Sequence, residues 1–120
     1  MSRIGLELEE RTLQFAVPIV NFASVLPRTA AAIAIGRQLL RAGTSVGANY
    51  REANRAESRE DFVHKVAIAL KEAAEPEYWL LLHSRVSLGN TEELACLTTE
   101  AGELVAILST IKRRGSQTDR

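Results

Sequence analysis

The chain has 120 residues, with 15 basic and 15 acidic side chains and no formal net charge. That is one domain's worth of sequence, and its 46% hydrophobic and 25% charged content excludes a disordered chain. The charge balance argues against a globally basic nucleic-acid binder and leaves room only for a local basic face. One cysteine, Cys96, excludes an internal disulfide and a cysteine zinc site. The absence of a leader pattern or a long uncharged apolar run reads as a cytoplasmic chain with no membrane partner.

Strand signals are nearly absent and helical spacing runs throughout, broken at three points. The first helix is expected over about 7–26, with Glu7, Glu9 and Glu10 at the positive end of its dipole. Leu13, Val17, Val20 and Ser24 form one stripe on it, and Phe15, Ile19, Phe22 and Leu26 another. Pro18 lies in its interior and predicts a kink.

The second helix spans about 30–54, opened by Thr29 as N-cap. Ala32, Gly36, Leu39, Gly43, Val46 and Tyr50 repeat at steps of four and three. That spacing continues through Gly43-Thr44-Ser45 and predicts an unbroken helix. Its glycines each cost about 1 kcal/mol against alanine, which is offset where small residues let a neighbouring helix approach.

The third helix is expected over about 58–87. Ser58 caps the Asp61 amide, the helix is apolar on two adjoining sides, and Pro76 predicts a second kink. Gly89 is placed at the left-handed C′ position that ends it. Asn90 caps the fourth helix, about 91–113, with Glu93 three residues on. There Leu94, Leu97, Ala101, Leu104, Leu108 and Ile111 keep a four-three seam suited to knobs-into-holes packing. Residues 115–120 read as a frayed tail.

Four helices with short connections predict an all-α, antiparallel up-down-up-down four-helix bundle, a single domain over 1–120. The doubled stripes on the first and third helices exceed what one core seam needs. Either the kinks wrap those faces inward, or a second chain covers them.

Chemistry-bearing patterns are sparse. His64 and His83 are the only histidines, and no metal-ligand spacing, catalytic triad or phosphate loop is recognisable. No cofactor, metal, small-molecule substrate or enzymatic activity is expected. Cys96, beside the seam of the fourth helix, reads as a small buried thiol. The charge distribution is more informative, since residues 28–57 hold five Arg and two Glu. Arg37, Arg41, Arg51 and Arg55 fall in one narrow helical sector, where a row of guanidinium forks suits phosphates or carboxylates. Two readings stand: a surface for RNA or DNA, or arginines paired with acids such as Glu72 and Glu75 or with a neighbouring subunit. Lys112, Arg113 and Arg114 suit the negative end of the last helix and would extend a basic surface if subunits assemble in a ring.

The run Arg37-Gln38-Leu39-Leu40-Arg41-Ala42-Gly43-Thr44-Ser45-Val46-Gly47-Ala48-Asn49-Tyr50-Arg51-Glu52-Ala53 resembles the "four helix bundle protein" family. That family includes proteins encoded by intervening sequences within bacterial large-subunit ribosomal RNA genes. The resemblance continues through Arg55-Ala56, Asp61-Phe62, Ala69-Leu70-Lys71-Glu72-Ala73 and Glu77-Tyr78-Trp79-Leu80, and covers nearly the whole chain. It implies a non-enzymatic bundle that associates with itself into closed rings, typically of five subunits. It also implies structural roles for Gly43, Ser45, Gly47, Asn49, Tyr50 and Glu52, with Asn49, Arg51 and Glu52 in a polar network inside or between subunits. A more distant similarity, to the accessory protein of diversity-generating retroelements, implies binding of nucleic acid. A protein-interaction scaffold that binds another protein and no nucleic acid is the alternative.

Overall fold

A computed structural model of the protein describes residues 2–117. Helix α1 runs Arg3–Ser24, α2 Ala30–Ala53, α3 Arg59–Ala73, α4 Glu75–Arg85 and α5 Thr91–Gln117. Because α3 and α4 follow one another as two lengths of a single rod, the architecture is the expected all-α four-helix bundle. It is a rod of 53 × 22 × 20 Å. Helix α1 packs along α2, α2 along α3 and α4, and both of these along α5, while α1 touches α5 only lightly.

Local chemistry sets most of the helix ends. Thr29 Oγ1 accepts from the Ala32 amide at 3.1 Å, Ser58 Oγ from Asp61 at 3.0 Å and Asn90 Oδ1 from Glu93 at 2.9 Å. Each satisfies one of the amides a helix start leaves without a backbone partner. Helix α1 starts earlier than its carboxylates suggest. Ser2 caps the Gly5 amide at 3.0 Å, so the helix opens at Arg3 and its first turn holds no acid. Helix α5 extends to Gln117, so residues 115–117 are helical rather than frayed; the rest of the expected tail, 118–120, lies outside the described residues.

The two interior prolines behave differently. Helix α1 continues through Pro18. Ahead of Pro76 the helix stops at Ala74, and Pro76 then occupies the opening turn of α4, where a missing N–H leaves no helical bond unmade. The end of α4 is also set one step away from expectation. Ser87, not Gly89, takes the left-handed conformation (φ 59°). The Leu88 amide donates to the His83 carbonyl at 2.9 Å and the Ser87 amide to Ser84 at 3.2 Å, which together make a Schellman end. Gly89 follows at φ 122°, and a side chain there would run into the Phe22 ring.

The core takes one side of each helix. Phe15, Ile19 and Phe22 enter from α1 and Leu39, Val46 and Tyr50 from α2. Val66, Ala69, Ala73 and Leu80 enter from α3 and α4, and Leu94, Leu97, Ala101, Leu104 and Leu108 from α5. The seam expected on α5 and the small-residue row on α2 are thus both core. The second side of the third rod is not: Val63, Ala67 and Leu70 are half-buried, and Ala74 and Leu81 are exposed. Cys96 is exposed as well. Lying between Leu94 and Leu97, it points away from the seam those residues share. Among the described residues, α5 is the one helix that by length and mean hydropathy would pass for a membrane span. Its apolar seam is instead spent on the core, and its Glu100 and Glu103 are held by Arg11.

A candidate assembly groove and its arginine row

Of the two stripes on α1, only that of Phe15, Ile19 and Phe22 is buried. Leu13, Val17 and Val20 stay 55%, 51% and 42% exposed, and Leu6 continues the row. This stripe forms one wall of a groove of about 590 Å³, whose other wall is Thr44, Gly47, Ala48 and Arg51 of α2. The groove is shallow-floored because α1 and α2 approach closely. A Cβ on Gly43 would meet Ile19 Cδ1 at 2.5 Å, and one on Gly47 would meet Thr12 Oγ1 at 2.9 Å. The small residues that the sequence singled out therefore serve contact within the chain. Neither proline folds the α1 stripe inward.

Arg37, Arg41 and Arg51 lie on one side of α2, spaced with Thr44 and Ala48 at steps of four and three, whereas α2 ends at Ala53 and leaves Arg55 in the turn beyond it, and the four differ in their partners. Arg41 pairs with Glu75 and, at 3.7 Å, with Glu72. Arg51 pairs with Glu9 at 3.5 Å, and Arg55 Nη1 donates to the Arg51 carbonyl at 3.4 Å. Arg37 is exposed and makes no ion pair among the described residues. The row thus reaches to α1 on one flank and to the α3–α4 junction on the other. Arg41 and Arg51 still leave more than half of their side-chain surface to solvent, and such pairs are individually weak.

Lys112, Arg113 and Arg114 are exposed on the last turns of α5. Arg114 lines a cleft with Ser58, Arg59 and Phe62, at the end of the rod where α2 ends and α3 begins. This pole is the one where α2 ends, at the far end of that helix from Arg37.

Around the arginines lies a partly buried polar layer. Ser45 Oγ donates to Glu72 at 3.0 Å, and Asn49 Nδ2 to the Ser45 carbonyl at 2.8 Å. Asn54 Nδ2 donates to Glu9 at 2.8 Å. The expected network of Asn49, Arg51 and Glu52 therefore takes another form inside the chain: Arg51 turns to Glu9 and Glu52 is exposed. Tyr50 is buried beside Asn54 and Glu9, and its hydroxyl pKa is raised, first by burial and then by the Glu9 charge, against the pull of Asn54.

Sequence reasoning missed the clasp between α1 and α5. Arg11 Nε and Nη2 grip Glu100 at 2.7 and 2.8 Å, and Nη2 reaches Glu103 at 2.6 Å. The Glu100 bond, opposed by burial and aided by Glu103, raises the Arg11 pKa above its ordinary value. The signal was present as two acids three apart on α5. Their partner, 89 residues away, carried none.

Among the described residues no group of three or more His, Cys, Asp or Glu side chains is placed to hold a metal ion. His83, fully buried, uses Nδ1 on the Trp79 carbonyl at 2.8 Å and sets its edge against Phe22. His64 is exposed.

The family model of the 23S rRNA-intervening sequence protein matches residues 5–110. The chain belongs to the 23S rRNA-intervening sequence protein family. The chain is also similar to a solved structure, a protein of unknown function from the S23 ribosomal protein family of Bacteroides thetaiotaomicron. That protein is 39% identical, superposes with a TM-score of 0.82, and is matched over 91% of this chain and 97% of its own. No match is found among curated proteins. The family membership accounts for the motif from Arg37 to Ala53 and for the bundle; it carries no assigned activity.

Proposed function

We propose that this chain is a non-enzymatic, self-associating bundle, whose α1–α2 groove is covered by another copy of itself. One observation carries this reading: Leu13, Val17 and Val20 stand in an exposed row with four-three spacing, with Leu6 seven residues before Leu13, beside a groove whose other wall carries Gly47 and Ala48. Such a row is the seam a helix offers to another helix, and contiguous apolar surface of this kind marks an interaction site. A rod only 20–22 Å across has much surface for its volume, which favours burying one side in an assembly. A closed ring of five copies is the form that the resemblance implies.

Light scattering on a sizing column tests it. The expected mass is about five times 13.2 kDa, and Val17→Glu on α1 should dissociate the particle with helicity retained. A wild-type monomer would overturn the reading.

A second reading, binding of RNA or DNA by the assembled particle, draws on Arg37 and on the solvent-facing sides of Arg41, Arg51 and Arg55. Binding should then weaken steeply with salt, and Arg37→Glu with Arg55→Glu should abolish it at unchanged mass. A particle that ignores RNA at low salt leaves the scaffold reading, in which the rim engages another protein.

A further inference from the structure

We infer that the joint between α3 and α4 is a hinge, and that Arg41 of α2 is the latch that holds it shut.

The third rod is two helices end to end. Helix α3 closes at Ala74, whose amide reaches the Leu70 carbonyl at 3.2 Å, and α4 opens at Glu75. Pro76 has no amide to give back to the Glu72 carbonyl, so the joint lacks a tie that an unbroken helix makes at that level. Helices bend at such points. Packing adds little stiffness on the α3 side. The residues that α3 buries are Val66, Ala69 and Ala73, none larger than valine, and small side chains bury little apolar area to hold a joint with. Helix α4 is a unit of 11 residues. Because α3 packs more extensively than α4 on both α2 and α5, α4 is the part that moves.

Polar contacts cross the joint from one side. The Arg41 guanidinium spans the two helices: Nη2 bonds Glu75 of α4, and Nη1 lies 3.7 Å from Glu72 of α3. Ser45, one turn further along α2, donates to the same Glu72 oxygen at 3.0 Å. The Glu75 oxygen that Arg41 holds also accepts from Trp79 Nε1 at 3.0 Å. A planar fork of donors is suited to fixing two carboxylates at a set separation, and here the two carboxylates belong to the two sides of the break. The Arg41 side chain is 53% exposed, so water and dissolved ions compete for it. Such a latch holds the joint and can release it without unfolding the bundle, as segments of low local stability do. It sets how the exposed Tyr78 and Leu81 of α4 are presented to anything that docks on that side.

The test reads the joint by itself, in the full-length chain. Trp79 is the one tryptophan, so its emission reports on the latch, and hydrogen exchange of the amides over 73–80 reports on the backbone. Arg41→Met keeps an apolar stem and removes the fork. Exchange over 73–80 should quicken about fivefold while α1 and α5 keep their wild-type rates, and Trp79 emission should move to longer wavelength. Raising salt should quicken the same amides in the wild type and change nothing further in Arg41→Met. Arg11→Met is the control, since it cuts the ion pairs between α1 and α5 and should leave the joint at its wild-type rate. Three results overturn the inference: wild-type rates over 73–80 in Arg41→Met, exchange that quickens in all helices together, or a wild-type joint indifferent to salt. The salt titration needs no substitution, so a variant that folds poorly leaves the question decidable.

Discussion

Thr12 of α1 lies against Gly47 of α2 so closely that a methyl group on Gly47 would come within 2.9 Å of the threonine Oγ1 and 3.2 Å of its Cβ. The threonine hydroxyl is already committed to the Glu9 carbonyl at 2.9 Å and cannot simply swing aside. Gly47→Ala should therefore force α1 outward and cost about 1–2 kcal/mol, overpacking outweighing the gain in helix propensity. Gly102 on α5 is the control, since a Cβ there meets nothing within 4 Å. Gly102→Ala should stabilise by about 0.5–1 kcal/mol. Denaturant midpoints for the two variants, moving in opposite directions, check both statements.

The Arg11 clasp should behave as a charge-assisted bidentate pair at a partly exposed site. Arg11→Met is expected to lower stability by about 1 kcal/mol, with the loss shrinking as salt is raised. A double-mutant cycle with Glu100→Gln, followed by thermal unfolding at two ionic strengths, reads the coupling. Full additivity of the two losses would count against the clasp.

His83 presents a buried Nε2 with no hydrogen-bond partner among the described residues. Since the Trp79 carbonyl can only accept, Nδ1 carries the proton and Nε2 is the bare acceptor. Leucine has similar bulk and no such acceptor, so His83→Leu should stay within about 1 kcal/mol of wild type. His83→Ala, which empties the space beside Phe22, should cost about 2–4 kcal/mol. Chemical denaturation of both variants separates shape from polarity at this position.

Tyr50 supplies a pH dependence. Its folded-state pKa is raised above the unfolded value by burial. The folded chain therefore holds this proton more tightly than the unfolded one, and the stability it contributes is complete below the unfolded value of about 10. That contribution is lost as pH climbs from there through the folded pKa. Unfolding free energy should accordingly fall along the alkaline limb, and Tyr50→Phe should flatten the fall. An identical alkaline slope in the variant would assign the loss to other groups.

Much of the fold was legible because its signals are local. Thr29, Ser58 and Asn90 each announce a helix start through one hydroxyl or amide oxygen three residues ahead of an amide. The seam of α5 repeats without interruption. Less legible were features whose cause is a competition between neighbours. Gly89 looks like a helix stop, yet Ser87 takes the left-handed turn because the Leu88 amide reaches His83 from there. Cys96 sits one residue from a seam position, and on a helix one residue is a rotation of about 100°. The assembly groove was half legible. Periodicity sorted Leu13, Val17 and Val20 from Phe15, Ile19 and Phe22, but only the packing of α2 and α5 decides which stripe is covered. The arginine row was legible as a row, and so were Glu72 and Glu75 as acids for it, which Arg41 takes; Glu9, the partner of Arg51, belongs to the three-dimensional neighbourhood rather than to the spacing.

Ser2 and Ile111 line the same cavity, so α1 begins and α5 finishes at one pole of the rod, with the 25–29 and 86–90 connections at the other. Rotation about a ring axis never turns a subunit over. In a cyclic particle whose rods run along the ring axis, every Ser2 and every Lys112-Arg113-Arg114 cluster would therefore emerge on the same rim. Such a particle would be two-faced: one rim would gather Lys112, Arg113 and Arg114, and the other the 25–29 and 86–90 turns with Arg28 and Arg85.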